Sequence, residues 1–540
     1  MLKPVGTLAL AATLASAQDI GPGTASAPYL LPSADGVRTV SVLTVGESPS
    51  DGSGYRMVGT PDGLGVLPHA DGRFTLLMNH ELSRNEGIAR RHGRRGAFVS
   101  EWTLTPDLEV VTGRDLIHTT YRYSRSTREF VAAPVTLQRY CSSDLPPTTA
   151  FRFGAFGTDA RIYLTGEEVR PPSSPDHGRA FAHVLDEDGA AAYELPWMGR
   201  MSFENVVASP MPQKRTLVFG TDDASSSTSP SGTPSELYLY VGTKQRLGTP
   251  IERAGLVGGS LYGLRIPGTD ASESRSNGFG DGSFVGTARF DLVDFGDVSD
   301  RSGIELQTES IQRDVYRFIR IEDGAWDPRP THARDFYFVT TGTGSTGTSR
   351  VFRVRFDNLR RPELGGEITI MLTGDEGHRS LDNAGMDRFG NLIIQEDPGG
   401  SGLLASVWQL NVDTGAFKRL AQANPDFFLP REPGFLTTNE ESSGIVDASD
   451  VLGPGWFLLD VQAHYSLETE LDEGGQLLAM FNPDSVCMAD VNADGVSDRA
   501  DLLAFISMFL SQDPAADTNL DGVIDASDLV AFVHRWIGGC

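Results

Sequence analysis

The stretch Asp382-Asn383-Ala384-Gly385, running through a turn to Leu392-Ile393-Ile394-Gln395-Glu396-Asp397, decides the fold. It holds an acidic–amide pair, a small residue, a turn, and an apolar strand that ends on carboxylates. The unit recurs at long, uneven intervals. Glu322-Asp323-Gly324 leads to residues 336–341, Glu204-Asn205 to 217–223, Asp62-Gly63 to 74–81, and Glu441-Ser442-Ser443-Gly444 to 457–464. A degenerate copy runs from Cys141-Ser142-Ser143 to 162–168. Alternating strands follow at 237–241, 351–356 and 407–412. Period-two patterning between frequent turns predicts antiparallel β-structure. About six such repeats over residues 35–482 imply a β-propeller, with residues 37–45 expected to close the ring on the last blade. A pair of β-sandwiches would leave the recurring acidic pair unexplained.

In a propeller the first strand of each blade lines the central channel, so the acidic pairs should converge on one mouth. Carboxylates crowded into a small volume need cations or retained protons. The spacing therefore predicts a polynuclear metal site, although any single Asp or Glu of this kind ordinarily caps a turn. The Ser/Gly/Asp-rich stretches 224–234 and 269–302 read as loop insertions.

The 540 residues are 39% hydrophobic, enough for a large core, and 60 Gly with 31 Pro break the chain too often for a mainly helical protein. The net charge of −27 argues against nucleic-acid or anionic-membrane binding. Lys3, the apolar run 5–14 and Ala15-Ser16-Ala17 read as a signal peptide over residues 1–17, and no second run is long enough to span a membrane. The protein is thus expected outside the cytoplasm: extracellular, periplasmic or on the cell surface. In such a compartment Cys487 and Cys540 are the natural disulfide pair. That leaves Cys141 as a buried apolar residue, an intermolecular bridge or a metal ligand.

The C-terminal segment carries a second signal. Asp490, Asn492, Asp494, Asp498 and Asp501 occupy positions 1, 3, 5, 9 and 12 of a calcium loop, with Gly495 at the sharp turn and the Val496 carbonyl at position 7. Asp517, Asn519, Asp521, Val523, Asp525 and Asp528 repeat the pattern 27 residues later, and each loop runs into an apolar helical stretch. About two calcium ions are expected here. With Asp at position 12 in both loops, residues 487–540 resemble the dockerin type I domain, a small α-helical calcium-binding module. That resemblance implies a cohesin-like or envelope partner.

The large domain resembles the PhoX-type alkaline phosphatase family. Met78-Asn79-His80-Glu81 is similar to the family's Asn-bearing strand end, and Tyr140-Cys141-Ser142 to its Asn-Cys. Leu164-Thr165-Gly166-Glu167-Glu168 resembles Cys-Glu-Glu, with Gly166 in the cysteine's place. Phe203-Glu204 resembles His-Glu, Arg320-Ile321-Glu322 resembles Arg-Pro-Glu, and Asp382-Asn383 with Glu396-Asp397 matches the blade that follows. The resemblance implies a mainly β, six-bladed propeller and a secreted, metal-dependent hydrolase of phosphorylated small molecules. It implies calcium and iron in the channel, held by Cys141, Glu167, Glu168, Glu204, Glu322 and Asp382, with Asn79 and Arg320 contacting phosphate.

No Gly-x-Ser-x-Gly elbow or His-Glu-x-x-His motif supplies another catalytic set. His80 and His464 stand at strand ends, where a structural hydrogen-bonding role is the simpler reading. Two other functions stand beside the phosphatase: a non-catalytic, calcium-stabilised scaffold or surface-binding protein, and a dockerin-bearing component of a polysaccharide-degrading system.

Overall fold

A computed structural model describes residues 19–170, 173–174, 176–224, 235–273, 284–342, 349–487, 489–491, 497–513, 516–518 and 523–538. The expected signal peptide lies outside the described residues, as do Asn492, Asp494, Val496, Asn519, Asp521 and Cys540. The Cys487–Cys540 pairing therefore involves a residue that is not described. No described helix is long and apolar enough to cross a membrane.

The chain is mainly β and propeller-like. Six short strands stand around one axis: β1 (Pro61–Pro68), β2 (Tyr140–Asp144), β3 (Phe203–Ala208), β4 (Ile321–Trp326), β5 (Leu381–Met386) and β6 (Glu440–Asp447). Each touches the next in chain order, and β6 touches β1, so the ring closes. Every one pairs antiparallel with the strand that follows it outward: Phe74–His80, Ile162–Glu167, Arg215–Asp222, Asp335–Thr340, Asn391–Glu396 and Trp456–Ser466 respectively. Further antiparallel strands extend each sheet away from the axis.

Strand alternation explains the packing. Along Trp456–Ser466, Phe457, Leu459, Val461 and Ala463 face one neighbouring sheet, with Ile393 and Val407, while Leu458 faces the other, with Leu64 and Met78. Both faces are buried, and each large apolar side chain removed from water contributes about 1.5–3 kcal/mol. The expected closure is present: Arg38–Thr44 pairs antiparallel with Glu473–Phe481 at the outer side of the β6 sheet.

The reading of 269–302 as loop is corrected in part. Thr287–Gly296 is a strand that pairs with both Ser260–Arg265 and Gly366–Leu372 and so joins two neighbouring sheets. The apolar residues Phe290, Leu292, Val293 and Phe295, set among Asp291 and Asp294, carried that signal beneath the polar composition of their surroundings. Residues 225–234 and 274–283 lie outside the described residues.

In the C-terminal segment two helices, Arg499–Ser511 and Ala526–Gly538, pack through stacked Phe505 and Phe532 rings 4.0 Å apart. Their starts repeat the same capping. The Asp501 carboxylate accepts from Asp498 N at 2.7 Å, and the Asp528 carboxylate accepts from Asp525 N at 2.8 Å. The sequence repeat is thus also a structural repeat at the described ends of both loops.

Candidate metal centre in the channel

All six inner strands carry a β-bulge at the repeat motif. The register slips between Asp62 and Leu64, Tyr140 and Ser143, Phe203 and Asn205, Ile321 and Gly324, Leu381 and Ala384, and Ser442 and Ile445. A bulge bends its strand and re-aims a side chain, which suits a site built on a ring of short strands. The second contact is equally regular. The backbone N–H of Glu81, Glu168, Asp223, Thr341, Asp397 and His464 donates to the carbonyl of Thr60, Arg139, Ser202, Arg320, Ser380 and Asn439, at 2.8–3.0 Å. Four of those acceptors, Thr60, Arg139, Arg320 and Ser380, are non-glycine residues at φ between 42° and 57°. Such conformations cost energy and persist where surrounding structure imposes them.

This frame sets two rings of side chains at one end of the channel. One is Asp62, Cys141, Glu204, Glu322, Asp382 and Glu441, each two residues past an acceptor. The other is Glu81, Glu168, Asp223, Thr341, Asp397 and His464. Five overlapping groups have ligand atoms within 4.8 Å of one another: Asp62/Cys141/Glu204, Glu81/Cys141/Glu168, Asp62/Glu81/Glu441, Glu204/Glu322/Asp382 and Asp382/Asp397/Glu441.

Charge balance is poor without added cations. The two rings hold nine carboxylates. Arg139 pairs with Glu81 at 2.5 Å and with Glu168, Arg320 pairs with Asp223 at 2.9 Å and Glu322 at 2.8 Å, and His464 reaches Glu473 at 2.5 Å and Glu441 at 3.7 Å. Burial, and then neighbouring carboxylates, push Asp62, Glu204 and Asp382 well above the ordinary carboxylate range. Burial and then Glu441 bring Asp397 to about 7. Burial pulls His464 down, but hydrogen bonds and charge from Glu441 and Glu473 outweigh it and hold the imidazole at about 11. The Cys141 thiol is free, buried, and pushed up by burial and by Glu204 and Glu81. Such shifts are expected where buried carboxylates crowd together without enough compensating positive charge. Oxygen-rich groups suit hard cations, while the thiol in two adjoining groups suits a softer transition metal.

The sequence-derived residues divide. Cys141, Glu168, Glu204, Glu322 and Asp382 come together in these groups. Glu167 points elsewhere, held in a bidentate pair by Arg179 with both contacts at 2.6 Å. This is the strand alternation at work, since consecutive residues at a strand end face opposite sides. Arg320 stands at the rings, already paired with Asp223 and Glu322. Asn79 is fully buried; its amide donates to Cys141 O at 2.6 Å and its Oδ1 accepts from Tyr163 OH at 3.0 Å, so it positions the cysteine strand. His80 is structural, bonded to Gly59 O and Ser100 Oγ. Sequence reasoning gave no role to Arg139, whose signal was its place two residues before Cys141, matching Arg320 before Glu322.

Just beneath the rings a polar layer spans the channel. Asn383 on β5 donates to Ser142 Oγ on β2 at 2.6 Å and to Asp62 on β1 at 2.9 Å, and Asn205 on β3 donates to Asp323 on β4 at 2.5 Å. A cavity of about 570 Å³, lined by Trp326, Leu145, Arg161 and Met386 among others, opens on the far side.

No family model matches this chain, and no curated protein matches it in sequence. Among solved structures it is similar to PhoX of Pseudomonas fluorescens in complex with vanadate, a transition-state analogue. That match has a TM-score of 0.58 at 13% identity and covers 84% of this chain and 98% of the other. It is more distantly similar to a protein of unknown function from Dyadobacter fermentans, with TM-score 0.36, 9% identity, and 83% and 100% coverage. The soluble aldose sugar dehydrogenase of Escherichia coli gives 0.35, 11%, and 82% and 99%. At these identities the likeness is one of fold, and the fold is PhoX-like.

Proposed function

We propose that the chain is an exported, metal-dependent hydrolase of phosphate esters, built on a six-bladed propeller with calcium and iron at the two rings. The observation that carries this reading is the shared group of a buried thiol and carboxylates, Glu81/Cys141/Glu168 beside Asp62/Cys141/Glu204, on a PhoX-like fold. When bound, such cations supply Lewis acidity toward phosphoryl oxygens and make water more acidic.

The chain's own residues do the rest. The carboxylates fix the ions, and Asn79 holds the Cys141 backbone in place. Arg139 and Arg320 present guanidinium forks at the ring mouth, which suits planar recognition of phosphate oxygens once cations have taken over their carboxylate partners. The polar layer of Asn383, Ser142, Asn205 and Asp323 closes the floor, so substrate enters from the ring side. The C-terminal repeat is assigned two calcium loops and a docking role, with Cys487 and Cys540 as its clasp.

Hydrolysis of an aryl phosphate by the full chain, before and after chelation and after return of calcium and ferrous iron, tests the reading. Activity that is lost and then restored is expected; a fully loaded protein without turnover contradicts it. A calcium-stabilised scaffold is the second reading, favoured by one observation: both arginines are already ion-paired.

A further inference from the structure

Among the described residues, Asp460 is a buried carboxylate with both oxygens unpartnered. It lies on Trp456–Ser466 and is 0% exposed. It belongs to none of the five channel groups. Two residues along the same face, Gln462 is also 0% exposed; its amide nitrogen donates to Glu81 at 2.9 Å while its Oε1 has no partner. Across the seam, the buried Thr60 Oγ1 is likewise without a partner. The seam is tight here. Gln462 pairs with Gly475, where a Cβ would come within 2.7 Å of Pro61 Cδ, the residue after Thr60.

Four orphaned atoms on one buried seam call for an occupant, since an unpaired polar group left dry is costly and a bare charge more so. Every one of the four is an oxygen. The charged groups bearing on Asp460 are the carboxylates of Asp62 and Glu441, with no cation among them. Oxygen donors around a carboxylate, with no nitrogen or sulfur, define a hard cation.

We propose that Asp460 and Gln462, at the seam where the β6 sheet meets the β1 sheet and beside the channel group Asp62/Glu81/Glu441, hold a calcium-class divalent cation in addition to those of the channel centre. The location gives it a role. Neighbouring sheets elsewhere follow one another along the chain, whereas the β6 and β1 sheets meet only by closure, secured by the Arg38–Thr44 strand. A cation at this level clamps the joint from the inside. It does not depend on whether the channel turns over substrate.

The test uses the full chain, with crystals grown in calcium chloride and anomalous diffraction measured at long wavelength. A calcium peak within bonding distance of Asp460 is expected; water or no peak there overturns the proposal, and this measurement needs no variant. In solution, Asp460→Asn, which copies the neutral acid, should bind about one fewer calcium per chain than wild type. An unchanged calcium count would show that Asp460 is a protonated acid and overturn the proposal. Glu204→Gln serves as the control. It should weaken the channel centre and leave the Asp460 peak in place, so failure of the channel reading and failure of this one remain distinguishable.

Discussion

A thiol among carboxylates is chemically specific, and Cys141 makes the sharpest prediction at the scale of a residue. Its Sγ lies 3.6 Å from Glu168 Oε2 and belongs to two ligand groups. Cys141→Ser keeps the size and replaces a soft donor by a hard one. It should abolish iron binding while most channel calcium remains, as read by elemental analysis. Gly63 makes a geometric prediction. A Cβ there would stand 2.6 Å from Ser143 N and 2.7 Å from Ser142 C, so β1 and β2 can approach only because the residue is glycine. Gly63→Ala should force the strands apart and lower both stability and metal retention, measured as melting temperature and metal per chain. Gly166 belongs to the same kind of argument: a Cβ there would meet Phe203 Cβ at 2.2 Å, so the side chain at 203 leaves no room for the cysteine that the resembling family carries.

At the scale of elements, the repeat motif was legible and its geometry was not. The acidic pairs, the apolar strands and the closing N-terminal strand could be read from residue order, because period-two alternation and turn residues are local signals. The bulges could not, because a bulge is a relation between two strands and depends on the register of the partner. For the same reason Glu167 and Glu168 were indistinguishable in sequence, and only the register sends one to Arg179 and the other to the ring. Asp62, Glu81, Asp397 and Glu441 were visible as members of the repeat, and convergence on one mouth was expected from it; which of them share a ligand group depends on how the sheets meet. The closing strand carries its own prediction. Leu43 on Arg38–Thr44 is fully buried, and Leu43→Ala should cost about 2–5 kcal/mol in a denaturant titration, as cavity-forming substitutions do. A cost near zero would mean that the closure contributes nothing to the fold.

At the scale of the whole molecule, the chain has a net charge of −27 and gathers eight carboxylates into the channel's ligand groups, so the stability of the fold should depend on what neutralises them. Asp62, Glu204, Glu322 and Asp382 are raised by burial and by charged neighbours, and Asp397 reaches about 7. A carboxyl raised on folding binds more protons in the native state. Its stabilisation is full below the unfolded value and is lost as pH rises through the folded value, which for Asp397 means from about 4 to about 7. His464, raised to about 11, acts with the same sign over a higher window. Metal-stripped protein should therefore melt at least ~2 °C higher near pH 5 than near pH 8, and returning the metals should erase the difference by replacing protons with cations.

A mixed thiolate–carboxylate metal centre in the channel is put to the test by elemental analysis of the full chain purified without chelators. Bound iron, calcium clearly above the tail's share of about two per chain, and loss of the iron in Cys141→Ser are expected. A protein with no iron, and with calcium no higher than the tail supplies, would contradict it.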